Sequence, residues 1–170
     1  MNLRELKISE RVDYSGSFFI MRDAAQRRIQ DLLEQKERLP FDLSDQIVFY
    51  AGPTKPLNDR VGIGPTTSER MDRYLKMLFE LGVLATVGKG KRSALARNLC
   101  QMYKRVYFVA PSGAAAALSE NVKKIQLVAF EDLGPEAVYR IDVVDFPLIV
   151  AIDSEGNDLF SQKACGSDRG

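Results

Sequence analysis

An α/β domain with a mixed, largely parallel sheet flanked by helices is the fold class this sequence predicts, on three observations. Strand-like apolar segments alternate with amphipathic stretches of about 10–15 residues, the pattern of strand–helix–strand units. The segment Val106-Tyr107-Phe108-Val109-Ala110 is a continuous apolar run, as in a strand covered on both faces. The 170 residues, 45% apolar and 28% charged, suit one domain of ordinary size. We therefore expect a single domain over 1–170, with a polar, mobile tail at 163–170.

The elements follow in order. Ser17-Phe18-Phe19-Ile20 reads as a strand. Asp23 to about Arg38 reads as a helix, because Ala25, Ile29, Leu32 and Leu33 recur on one face and Pro40 lies just beyond. Gln46–Ala51 is the second strand, followed by a Gly/Pro/Asn-rich loop from Gly52 to Gly64. A helix is expected from Ser68 to Leu81, with Met71, Tyr74, Leu75 and Leu78 inward and Gly82 as its C-terminal cap. Val83–Val87 is strand-like, Gly88-Lys89-Gly90 a loop, and Ser93 opens a helix to Tyr103. After the strand at 106–110, Pro111-Ser112-Gly113 turns into an alanine-rich helix. Three strands complete the chain, at 125–129, 138–143 and 148–153, with a turn at Asp153–Asn157. The strand-rich last third predicts some antiparallel pairing.

Composition excludes much. Basic and acidic residues number 24 and 23, a balance unlike that of a dedicated nucleic-acid binder. There is no histidine and there are two cysteines, Cys100 and Cys165. These cannot build a zinc site, a cysteine-ligated cluster, or a histidine-assisted nucleophile. Cys100 reads as a buried free thiol within a helix. No apolar run reaches the roughly 20 residues of a membrane span, and the N-terminus has no signal-peptide core, so a cytoplasmic protein is expected.

The informative pattern lies where strands run into helices, at the ends where ligands gather in α/β sheets. Free N–H groups at helix starts favour anions there, and a cation stands at three such junctions. Arg22 precedes a helix opening at Asp23, with Asp23 and Gln26 at capping-box spacing. Arg70 follows Gly64-Pro65-Thr66-Thr67-Ser68-Glu69, where Thr66 and Glu69 have the same spacing. Lys89 sits in Gly88-Lys89-Gly90-Lys91-Arg92-Ser93. Each has an ordinary reading: a surface arginine, a helix cap, a solvated loop. The last is no P-loop, because the glycine spacing is one residue too long and glycine follows the lysine. Together the three point to a small dianion, and two arginine forks with one lysine would suit a C4 dicarboxylate. The residues alone stop at an anion site of unspecified chemistry.

The sequence also resembles the β subunit, or C-terminal domain, of the iron–sulfur (class I) fumarase / L-tartrate dehydratase family. The matching stretches are Ser15-Gly16-Ser17, Arg22-Asp23-Ala24-Ala25, Gly64-Pro65-Thr66-Thr67 with Arg70-Met71-Asp72, Gly88-Lys89-Gly90-Lys91-Arg92-Ser93, Gly113-Ala114-Ala115-Ala116, Glu131-Asp132-Leu133-Gly134, and Asp145-Phe146-Pro147 with Val150-Ala151-Ile152-Asp153. They run in family order from about residue 10 to 160. The resemblance implies a swivelling β/β/α domain similar to the mobile domain of aconitases. It implies reversible hydration of a C4 dicarboxylate such as fumarate, or dehydration of L-tartrate. It implies an α subunit, in an α2β2 assembly, that ligates a [4Fe–4S] cluster through three cysteines, this chain contributing no metal ligand. Arg22, Thr67, Arg70 and Lys89 would bind substrate, and Thr66 would be the catalytic base. Two positions depart from the family: Gln26 stands where histidine is usual, and Glu69 where glycine is often found. The competing class is a non-catalytic dicarboxylate-binding module.

Overall fold

The computed structural model describes residues 2–57, 60–111 and 120–161. The expected alanine-rich helix, the 163–170 tail and Cys165 lie outside them. The strands are β1 (Arg11–Met21), β2 (Ile47–Leu57), β3 (Arg60–Pro65), β4 (Ala85–Gly88), β5 (Val106–Val109), β6 (Val122–Ala129) and β7 (Val138–Ile152). The α-helices are α1 (Asp23–Glu34), α2 (Leu75–Glu80) and α3 (Ala94–Tyr103), and a 3-10 segment, Glu69–Tyr74, leads into α2. No helix among the described residues is long and apolar enough to cross a membrane.

The sheet is not open. β1, β2, β4 and β5 pair in parallel in that order. β7 then runs antiparallel to β5 and, along Arg11–Ile20, antiparallel to β1. These pairings close a five-stranded mixed barrel, with β6 added outside on β7 and β3 on β2. The expected largely parallel sheet flanked by helices is thereby corrected. What closes the ring is the length of β7. Its 15 residues were read as two strands broken near Asp145-Phe146-Pro147, but they form one strand that bends where Asp145 takes φ 49°. A bulge between Tyr14 and Gly16 bends β1 to match. The second correction is the Gly52–Gly64 loop, which is largely a hairpin: β2 continues to Leu57 and pairs with β3, Pro53 opposite Ile63. Proline is tolerated there because β3 lies off the ring, at the sheet's margin.

Strict alternation along the strands fills two cores. Phe18 and Ile20, Phe49, Val87, Phe108, Ile141, Phe146 and Val150 pack together inside the barrel. Their neighbours Phe19, Met21, Val48, Tyr50 and Tyr107 face outward and pack beneath the helices with Ile29, Leu78 and Leu99. Both strand faces are thus covered, which is why the strands read as continuous apolar runs. Two of the helical expectations are refined: α1 ends at Glu34, and the Ser68–Leu81 segment is a 3-10 turn followed by a short helix. Gly82 ends that helix as expected, at φ +96°.

Candidate functional site

Because β1, β2 and β4 are parallel neighbours, their carboxyl ends share one edge of the barrel. Arg22 follows β1 there. Its guanidinium lies against Gly52, where a Cβ would come within 3.3 Å of its Cζ. β2 carries the hairpin to this edge, and Thr66, just past β3, donates its N–H to the Tyr50 carbonyl at 2.8 Å. Thr67 forms a parallel bridge with Lys89, which follows β4. Arg70, in the 3-10 segment, reaches back to α1, its Nε 3.1 Å from Asp23 Oδ1. Thr67 and Lys89 are thus joined through their main chains, Thr66 is tied to β2, and Arg70 lies against the helix that opens directly after Arg22.

Their charges are lightly neutralised. Arg22 has Glu136 Oε1 only at 3.7 Å, and its buried Nε makes no hydrogen bond. Asp23 Oδ1 is close to Arg70, yet the N–H is not aimed at it, so this buried acceptor also lacks a hydrogen bond. Lys89 is exposed, and its ammonium has no partner among the described residues. Arg70 is 54% exposed along its side chain. A cleft of about 360 Å³ opens beside this edge, lined by Asp23, Arg27, Arg28, Arg73 and Glu136 among others. A cationic edge with an unsatisfied N–H donor is suited to an anion.

The expected side-chain caps are absent. Arg22, not Asp23, holds the cap position of α1, and Gln26 does not cap. Gln26 is fully buried; its amide nitrogen lies 3.4 Å from the Arg22 carbonyl and 3.3 Å from Met71 Sδ, while its Oε1 has no hydrogen bond. Neither Thr66 nor Glu69 caps the next segment; Ser68 holds the cap position but makes no side-chain bond to that segment's backbone. Ser93 does occupy the cap position of α3, but its hydroxyl turns to Asp72 at 2.6 Å. At Ser93 a tertiary partner outcompetes the local one that sequence spacing proposes.

Beneath the edge lies a polar network that sequence reasoning did not single out. Arg92, read as part of a cationic loop, points inward with a fully buried side chain. Its Nε meets Asp72 Oδ1 at 2.5 Å, Nη1 meets Thr86 Oγ1 at 2.9 Å, and Nη2 meets the Tyr50 hydroxyl at 3.0 Å. The rings of Tyr50 and Tyr107 lie 5.0 and 4.9 Å from its Cζ. Burial opposes its charge, but Tyr50, Asp72 and Tyr107 outweigh burial and hold the guanidinium above its ordinary pKa. Asp72 Oδ2 accepts from the Ser93 N–H at 2.8 Å and the Ser93 hydroxyl. This network ties β2, β4, the Arg70 segment and the start of α3 together. A loop has no periodicity from which the inward turn of Arg92 could have been read.

The described residues contain no group of three or more Cys, His, Asp or Glu able to hold a metal. Cys100 lies on the buried face of α3, and burial pushes its thiol up to about 12, so it is no nucleophile at neutral pH.

Comparison with known proteins gives a consistent picture. The family described as Fumarase C-terminus matches residues 1–163. A Methanocaldococcus jannaschii protein assigned as an L(+)-tartrate dehydratase subunit β is 40% identical over 169 residues, covering 95% of this chain and 87% of that protein. The L(+)-tartrate dehydratase subunit β of Escherichia coli K12 is 34% identical over 168 residues, with 95% and 82% covered. The anaerobic class I fumarate hydratase of the same organism is 34% identical over 164 residues. There the match takes 94% of this chain but 30% of the hydratase.

Proposed function

Because the chain belongs to the Fumarase C-terminus family, we propose that it is the β-type subunit of an iron–sulfur hydro-lyase acting on a C4 dicarboxylate, interconverting fumarate and malate. The observation that carries this reading is the shared edge where Arg22 follows β1, Lys89 follows β4 and Arg70 sits in the 3-10 segment before α2, with so little internal neutralisation. L-tartrate is the second reading, favoured by the relatives whose length this chain nearly spans, which are tartrate dehydratase β subunits. The carboxylate clamp serves either acid.

In this reading Arg22 and Arg70 grip the two carboxylates through paired N–H donors, and Lys89 adds a point charge. Thr67 lies against Lys89 and contributes a hydroxyl to the same clamp. Thr66 takes the carbon-bound proton. A threonine hydroxyl is a weak base at its ordinary pKa, and the surrounding cations favour its deprotonated form. A [4Fe–4S] cluster, ligated by the α subunit and not by this chain, supplies a Lewis-acidic iron for the substrate hydroxyl when bound. The separate-subunit form follows the tartrate dehydratase relatives, and α2β2 is the assembly we expect. The reading is tested by co-expressing the chain with its cluster-bearing partner, rebuilding the cluster anaerobically, and following the fumarate double bond by ultraviolet absorbance.

A further inference from the structure

We propose that Ser68 is a positioning residue that sets Lys89 against Thr66 and Arg70; the inference rests on reading these residues as the dicarboxylate site. Ser68 has no solvent exposure, although it lies between exposed Thr67 and exposed Glu69. Its N–H donates to the Lys89 carbonyl at 3.0 Å, and its Oγ accepts the Lys89 N–H at 3.1 Å. The peptide groups on both sides of Lys89 Cα are thus held by one serine. The lysine ammonium has no partner among the described residues, so its placement is inherited from this main-chain clasp.

The clasp is itself fixed. The Tyr107 hydroxyl lies 2.8 Å from the Gly90 carbonyl and 2.9 Å from Ser68 Oγ. It has one proton, which goes to the carbonyl, since a carbonyl can only accept; the Ser68 hydroxyl then donates to the tyrosine oxygen. Tyr107 in turn stacks on Arg92. Space for Ser68 is made by Gly88, where a Cβ would fall 1.8 Å from Ser68 Oγ. Gly88 is not among the positive-φ glycines, so close approach and not backbone conformation requires it. Gly88 and Lys89 are therefore built around the Ser68 hydroxyl, with Gly90 held one step further by Tyr107, on the segment that leads into Arg70.

Lys89 would hold a carboxylate equally in the bound substrate and in the transition state, so displacing it weakens binding more than turnover. The test is the dissociation constant of succinate, a non-reacting C4 dicarboxylate, by calorimetry on the chain assembled with its partner. Ser68→Ala should weaken succinate about tenfold, and raise KM by a similar factor while kcat changes less. Lys89→Ala should weaken binding at least as much, and the double variant should be no worse than Lys89→Ala alone, because the two act through each other. Tyr107→Phe should shift binding in the same direction, and carries the test if Ser68→Ala does not fold. Unchanged succinate binding in a folded Ser68→Ala chain, additive effects in the double variant, or no succinate binding by the unsubstituted complex would overturn the proposal. Coupled binding effects in a complex that turns over no C4 acid would instead leave Ser68 in this role and remove the hydro-lyase reading. Turnover with a Ser68 effect confined to melting temperature would do the reverse.

Discussion

Arg92 and Asp72 form a solvent-free ion pair, Nε to Oδ1 at 2.5 Å, directly below the loop that carries Lys89. Every nitrogen of the guanidinium has a partner, and both carboxylate oxygens are bonded. Removing one member strands the other charge without water. Asp72→Asn or Arg92→Met should therefore cost about 3–5 kcal/mol, measured by urea unfolding. A loss under about 1 kcal/mol would mean that water or a neighbour replaces the pair.

Gly88 and Gly90 stand two residues apart and should respond to alanine for different reasons. At Gly88 the new methyl meets Ser68 Oγ, whereas at Gly90 nothing lies within 4 Å and the strain comes from φ +82°. Gly90→Ala should cost about 1 kcal/mol through the backbone alone. Gly88→Ala should cost more, since two close-packed elements must part. Thermal melts of both variants decide the order.

Arg70 tests the clamp by chemistry rather than charge. Arg70→Lys keeps the cation and loses the fork, which should remove about 1.5–3 kcal/mol of transition-state binding, or roughly 10- to 150-fold in kcat/KM. The assay uses the variant assembled with its partner. Unchanged kcat/KM would remove Arg70 from the site.

Acid titration should expose the bond between α1 and the Glu131–Glu136 turn. Arg28 donates to both oxygens of Asp132, at 2.6 and 2.7 Å, and this bond holds the Asp132 carboxyl below its ordinary value of 3.8. A carboxyl whose pKa is lower when folded stabilises the fold above its unfolded value, and loses that contribution as pH falls through the folded one. Asp132→Asn should thus be less stable than the unsubstituted chain at pH 7, and the gap should close in strong acid. A gap independent of pH would assign the effect to something other than this charge.

Much of this was legible in the sequence where the signal is local. The strands around Phe18, Phe49, Val87 and Phe108 are apolar on both faces because one face fills the barrel and the other lies under helices. The cations at 22, 70 and 89 stood out because each lies where the chain runs into an expected helix start. Closure was not legible, because it rests on β7 pairing with β1 more than 120 residues away, Phe18 opposite Ile141, a register with no local signature. Asp145-Phe146-Pro147 looked like a break since proline is uncommon within strands, and the positive φ by which Asp145 bends the strand is visible only in the structure. Gly52, Pro53 and Asn58 disguised the hairpin in the same way. The capping boxes at Asp23 and Thr66 do not form, because Arg22 and Ser68 take the two cap positions and neither makes a side-chain capping bond.

Whether this chain is half of a hydro-lyase is tested most directly by comparing turnover by the chain alone, by its cluster-bearing partner alone, and by the two together after anaerobic reconstitution. Fumarate, malate and tartrate serve as substrates. Turnover is expected only when both chains are present, on at least one of these acids, and should be lost in Arg22→Ala. A cluster-bearing complex that turns over none of them, or a partner that is fully active without this chain, would contradict it.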